Sequence, residues 1–226
     1  MKVVLFCGGQ GLRLREYSDS IPKPMVPIGY RPILWHVMRY YAHFGHTEFI
    51  LCLDYRADVI KDYFLRYNEA LSNDFVMAHG GREIELLGSD ISDWRISFVD
   101  TGVNTSIGQR LRAVRRFIAD DEVFLANYAD VLCDAPLNTF VDRFVASDAV
   151  ASCLAIHPTM YTLHLLSMED PGRVTSLEWI GSSAIRVNGG YFILRRSIFD
   201  WLGDGDDLVP DVFPRLAAAG KLLAHP

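Results

Sequence analysis

Lys2 to Leu14 reads KVVLFCGGQGLRL, and the chain continues through REYSDSI to PKPM, Pro22 to Met25. Five apolar residues, Val3–Cys7, are long enough for a buried strand, and Gly8, Gly9 and Gly11 follow at once. Glycines permit positive φ and close approach of a ligand to the backbone. Successive exposed amides in such a turn can cradle a phosphate. A sharp turn between a strand and a loop would use the same residues, so both readings stand at this point. Two common phosphate loops are excluded by spacing. A P-loop needs Gly-Lys-Ser/Thr, which is absent, and a dinucleotide fingerprint needs G-x-G-x-x-G, whereas Gly9-Gln10-Gly11 is followed by Leu12, Arg13 and Leu14. Lys23 stands between Pro22 and Pro24. Proline fixes φ and restricts the residue before it, so Lys23 is expected on a stiff, extended backbone, either as a phosphate contact or as a solvated lysine in a proline turn.

Working outward, RPILWHVMRYYAHFG predicts a helix with Pro32 near its start and Gly45 as its stop. EFILCL predicts a second buried strand. ADVIKDYFLRYNEAL places Val59, Ile60, Tyr63, Phe64 and Tyr67 at helical spacing. DFVMAHGGREIELL and WRISFVDTG read as strands, SIGQRLRAVRRFI as a helix, and EVFLANYAD as a strand ending at Asp130. From Val150 onward VASCLAIHP, YTLHLL, RVTSLEW and NGGYFIL give mostly strands before a closing helix at Leu208–Ala219. Alternating strands and helices predict an α/β fold, Rossmann-like, with a mainly parallel sheet flanked by helices and a small β-rich lobe. Residues 1–149 and 150–226 would form two parts of one domain. Ligands of such sheets bind beyond the carboxyl ends of the strands. The glycine turn and Asp130 both fall on that edge.

Composition narrows the partners. At 226 residues and 50% hydrophobic, the chain can bury a substantial core. Its apolar runs are far shorter than the roughly 20 residues of a membrane-spanning helix. Lys2 and five apolar residues are too little for a signal peptide, so a cytoplasmic protein is expected. A net charge of −6 argues against nucleic acid as the main partner. Cys7, Cys52, Cys133 and Cys153 lack metal spacing and read as buried, reduced thiols. His36, His43 and His46 read as packing or surface residues, Trp35, Tyr40 and Tyr41 as core, and Arg112, Arg115 and Arg116 as exposed helix cations.

GGQGLRL with PKPMVPIGYRPILWH resembles the nucleotide signature of sugar-1-phosphate nucleotidylyltransferases. WRISFVDTGVNTSIGQRL and DDEVFLANYAD are similar to the corresponding segments of glucose-1-phosphate cytidylyltransferases, and VNGGYFIL to that family's sugar-side strand. The resemblance covers nearly the whole chain and implies that residues 1–149 are the nucleotide-binding part and 150–226 the sugar-side part of a single nucleotidyltransferase domain. It implies transfer of a cytidylyl group from CTP to a hexose-1-phosphate, giving CDP-hexose and pyrophosphate. It implies nucleotide binding by Gly8, Gly9, Gly11, Arg13, Lys23, Gly108 and Arg110, with Arg13 on the departing pyrophosphate and Lys23 near the reacting phosphates. Asp130 would hold Mg²⁺, and Glu178, Asn188 and Gly189 would face the sugar. The expected partners are CTP and a sugar-1-phosphate, with self-association into a homo-oligomer. Use of dTTP or UTP, or a nucleotide-binding pseudoenzyme with a regulatory or structural role, are the alternatives.

Three positions depart from the pattern. Leu12 replaces a threonine hydroxyl. Trp179 stands where a lysine normally meets the sugar phosphate, and an indole offers one neutral donor in place of that charge. The second metal-binding aspartate of the family would lie beyond Pro226.

Overall fold

The computed structural model describes residues 1–8, 21–158 and 162–226. Within them β1 (Val3–Phe6) is followed by a two-residue ladder, β2 (Pro27–Ile28) and β3 (Arg31–Pro32), then helix α1 (Ile33–His43), β4 (Glu48–Leu53) and α2 (Ala57–Leu65). A hairpin, β5 (Phe75–Ala78) and β6 (Glu83–Leu86), precedes β7 (Arg95–Asp100), α3 (Ile107–Ala113) and α4 (Arg115–Ile118). Then come β8 (Val123–Asn127), α5 (Leu137–Val145), β9 (Ala151–Ile156) and a second hairpin, β10 (His164–Glu169) and β11 (Arg173–Trp179). β12 (Val187–Arg195), α6 (Ile198–Trp201), α7 (Phe213–Ala218) and β13 (Leu222–His225) close the chain.

Seven strands form the central sheet in the order β13-β9-β12-β8-β1-β4-β7. β12 pairs antiparallel with both its neighbours, and every other pairing is parallel. The alternation along β1 explains why the sheet sits inside the molecule. Val4 and Phe6 pack with Leu111, Phe124, Phe199 and Leu216 on one face. Val3, Leu5 and Cys7 pack with Leu34, Val37, Tyr41, Phe140 and Phe144 on the other. Helices cover both faces, so a parallel strand reads as one unbroken apolar run, and the sequence pattern registers only that burial. α1 buries Leu34, Val37, Met38 and Tyr41 at helical spacing and stops where Gly45 takes φ +83°.

Several expectations change in detail. DFVMAHGGREIELL makes an isolated hairpin outside the central sheet, turned at Gly80 and Gly81 with positive φ. Residues from 150 onward complete the same sheet, as expected, through β9, β12 and β13, while β10 and β11 form a separate hairpin. The closing helix is split into a π-helical turn at Leu208–Val212 and α7. Of the four thiols, Cys7 and Cys52 are buried while Cys133 and Cys153 are half-buried. Burial raises the pKa of Cys7 and pushes that of Cys52 up to about 12, which keeps both thiols protonated and unreactive. Tyr41 is in the core, whereas Trp35 and Tyr40 are half-buried.

Candidate active site at the carboxyl edge of the sheet

The chain runs from β1 to β4 to β7 on one side of β1 and then crosses to β8 on the other. Loops leaving β1 and β8 therefore diverge, opening a crevice between them at the strands' carboxyl ends. Gly8 and Asp130 stand on those two loops. Of the phosphate-loop residues expected from sequence, Gly9, Gly11 and Arg13 lie outside the described residues, as does Leu12.

Gly8 lies directly above a buried ion pair. Arg110, on α3, donates from Nη2 to Asp54 Oδ2 at 2.5 Å and from Nε to the Thr105 carbonyl at 3.1 Å. Both charged side chains are about 5% exposed. The remaining terminal nitrogen, Nη1, is buried without a partner among the described residues, as is Asp54 Oδ1. A Cβ on Gly8 would fall 1.5 Å from Arg110 Nη1 and 2.2 Å from Asp54 Oδ2. Gly8→Ala is therefore expected to cost about 2 kcal/mol through overpacking, since the two groups it meets are held in a buried pair and cannot swing aside. An unchanged urea midpoint would show that the pair gives way freely.

Gly108 occupies the first turn of α3, where Ser106 and Gln109 form a capping box. A Cβ there would stand 2.3 Å from the Asp206 carbonyl, so the close approach of α3 to the 203–207 segment requires glycine. Its amide donates to Asp207 Oδ1 at 3.3 Å.

Asp130 is aimed by a strained turn. Asn127, the last residue of β8, accepts the Ala129 amide on its side-chain oxygen at 2.7 Å, and Ala129 adopts φ +63°. A non-glycine residue rarely takes that conformation, at a cost of about 1–2 kcal/mol. Such strain is concentrated at functional sites. Burial raises the Asp130 pKa and the Lys23 ammonium offsets part of that rise. Lys23 Nζ lies 4.0 Å from Asp130 Oδ2, and each side chain is 28% exposed. That separation is too long for a hydrogen bond and leaves both groups open to a ligand. The backbone of Lys23 differs from the expectation. Only Pro22 is extended, while Lys23 opens a 3₁₀ turn closed by Met25 N to Pro22 O at 2.8 Å and Val26 N to Lys23 O at 3.0 Å. The turn's own hydrogen bonds, added to the two prolines, fix the lysine.

On the neighbouring strand, the start of β12 reaches the same edge. Asn188 Nδ2 lies 3.4 Å from Tyr128 Oη, and its Oδ1 accepts the Gly190 amide at 2.9 Å. A Cβ on Gly189 would meet Ile156 and Leu154 at 3.2–3.3 Å, so this glycine sits tight against β9. Glu178 is exposed on β11 opposite Leu165, and Trp179 follows it with its ring lying over Gly181. Asp54 and Tyr128 were not singled out from sequence. The signal was available, because Asp54 follows EFILCL as Asp130 follows β8, a carboxylate just past the end of a buried strand. No cluster of three or more metal-binding side chains occurs among the described residues, and none of their helices is long and apolar enough to cross a membrane.

A seven-stranded sheet of this order with one reversed strand, carrying its polar residues at the point where strand order reverses, is the nucleotide-diphospho-sugar transferase fold. The chain belongs to the nucleotidyl transferase family, which residues 2–177 match. It is 36% identical over its whole length to the probable glucose-1-phosphate cytidylyltransferase of Bacillus subtilis, covering 87% of that protein. It is 34% identical to the glucose-1-phosphate cytidylyltransferase of Salmonella typhimurium, covering 88% of it. Among solved structures, UDP-glucose pyrophosphorylase complexed with UDP-glucose superposes with a TM-score of 0.68 at 16% identity, over 99% of this chain and 89% of that one. HddC from Yersinia pseudotuberculosis complexed with GMP-PN gives 0.65 at 24%, over 95% and 85%. These last two share the fold.

Proposed function

We propose that the protein transfers a cytidylyl group from CTP to a hexose-1-phosphate, glucose-1-phosphate foremost, releasing pyrophosphate. The observation that carries this reading is the convergence of Lys23 and Asp130, from loops far apart in the chain, across the crevice beside Gly8. In the reaction an oxygen of the sugar phosphate attacks the α-phosphorus, and the bond from that phosphorus to the bridging oxygen breaks. Such a step needs alignment and charge neutralisation more than a covalent nucleophile. Lys23 is assigned to the charge building on the reacting phosphates, with Arg13 on the departing pyrophosphate and Gly8, Gly9 and Gly11 on the nucleotide. Gly108 and Arg110 serve the nucleotide site from α3. Arg110 Nη1 beneath Gly8, without a partner among the described residues, supports this assignment, since it leaves an unused N–H donor under the turn. Asn188, Gly189 and Glu178 are assigned to the sugar.

Asp130 fits a divalent ion. A carboxylate whose charge is disfavoured by burial, with one cation 4.0 Å away, is incompletely compensated. Mg²⁺ is commonly held by one or two carboxylates plus substrate phosphates, so a single aspartate suffices on the protein's side. The ion would neutralise phosphate charge when bound.

Choice of CTP is supported by the named cytidylyl relatives and by the donor-only character of arginine. Guanidinium suits the O2 and N3 acceptors of cytosine and meets a donor at N3 of uracil or thymine. Pyrophosphate release, followed with CTP, UTP, dTTP, ATP and GTP against a panel of hexose-1-phosphates, should be fastest with CTP and glucose-1-phosphate. Equal rates with UTP or dTTP would overturn the base assignment, and no release with any pair would favour the pseudoenzyme.

A further inference from the structure

At the opposite end of α3 from Gly8, four arginines line one cleft of about 670 Å³ together with Ala113 and Ala119. In a chain of net charge −6, this cleft has no carboxylate in its lining. Two of the arginines are compensated from outside it. Arg112 donates to Asp204 at 2.5 Å, and Arg196 donates to the Ala119 carbonyl at 2.7 Å and to Glu122 at 3.4 Å. The other two are not. Arg115 lies with Cζ 5.1 Å from the Phe199 ring centroid and Arg116 with Cζ 4.9 Å from that of Phe117. Neither bonds a carboxylate or carbonyl among the described residues. Stacking holds a guanidinium through its face and leaves its edge N–H donors free.

We propose that this cleft is a second anion site, which takes a diphosphate group. Two uncompensated forks lining one cleft match the two phosphates of a diphosphate, since guanidinium binds phosphate through paired N–H donors. The volume suits a small ligand. Phe117 and Phe199 already carry arginines, and the remaining lining is two alanines, so the cleft has no free ring on which a base could stack. Free pyrophosphate and the diphosphate of a nucleotide are therefore held alike, and whatever the diphosphate carries stays outside the cleft. The exposed cations of the α3–α4 segment thus acquire a use that their spacing alone does not convey.

Titration calorimetry on the full chain tests the site, with pyrophosphate and CDP as separate probes at matched ionic strength. The wild type is the reference, and variants at Arg115 and Arg116 keep its candidate active site unaltered, so the cleft is read as a second binding event. There pyrophosphate and CDP should bind with similar affinity, and Arg115→Gln with Arg116→Gln should weaken both by at least about tenfold, the scale of losing charge-assisted hydrogen bonds. Thermal melts confirm the fold of the variants, and if the double change melts early, Arg116→Gln alone, at an exposed position, should still weaken binding. Affinity untouched by the arginine changes would overturn the proposal, as would sulfate displacing pyrophosphate one for one. A single binding event untouched by the arginine changes would leave the nucleotide-site reading standing and overturn the cleft, whereas a single event abolished by them would support the cleft and count against the nucleotide site.

Discussion

Asp130→Asn should lower turnover by about 10²–10³ while the protein stays folded, because the carboxylate's charge, and not its volume, is what would hold a divalent ion against the reacting phosphates. Stability should move the other way. Burial raises the Asp130 pKa above its unfolded value, so folding disfavours the ionised form. The group is neutral in effect at pH values below the unfolded pKa, about 4, and becomes destabilising as pH rises through that value towards the folded one. At neutral pH the asparagine removes that cost. Metal-free melts of Asp130→Asn should therefore match or exceed the wild type, alongside an activity whose dependence on added Mg²⁺ is lost. Near-normal turnover with the wild-type metal dependence would remove Asp130 from the site.

Lys23→Ala should cost about 10²–10³ in kcat with a much smaller change in the KM for nucleotide, since the proposed contact strengthens as charge builds in the transition state. The side chain is 28% exposed and its backbone is held by two prolines and a 3₁₀ turn, so the substitution leaves little structural debt. Lys23→Arg separates charge from geometry. Guanidinium keeps the charge but reaches further and binds through a fork, so partial recovery is expected. A change confined to KM would make Lys23 a binding residue only.

Much of the fold is legible in short stretches. Val3–Phe6 and residues 49–53 are buried on both faces, and a strand in that position must be apolar throughout. α1 announces itself by spacing and by the proline and glycine at its ends. The helix Leu137–Val145 carries its signal in only three buried residues, Leu137, Phe140 and Phe144 at i, i+3 and i+7, over nine residues, which is brief beside the longer apolar run of α1. β13 is four residues at the sheet's edge, too short to carry a period. The 75–86 hairpin has a strand's composition but is exposed along most of its length, so composition did not reveal that it lies outside the sheet. The stacked arginines Arg115 and Arg116 show the same limit at the surface: spacing marks them as exposed, but the rings they cover belong to whatever packs nearby.

The candidate site divides along the same line. By itself the sequence determined that Gly8 ends a strand, that Lys23 is fixed between prolines and that Asp130 follows another strand, because each depends on neighbours along the chain. Tertiary structure alone decided that Lys23 faces Asp130 at 4.0 Å, that Arg110 is committed to Asp54 beneath Gly8, and that Gly108 is required by the Asp206 carbonyl. Those pairings follow from strand order, which places β8 next to β1 and β4 on its other side. Strand order is settled by how helices and sheet faces bury one another over long separations in the chain, and no local pattern of residues records it.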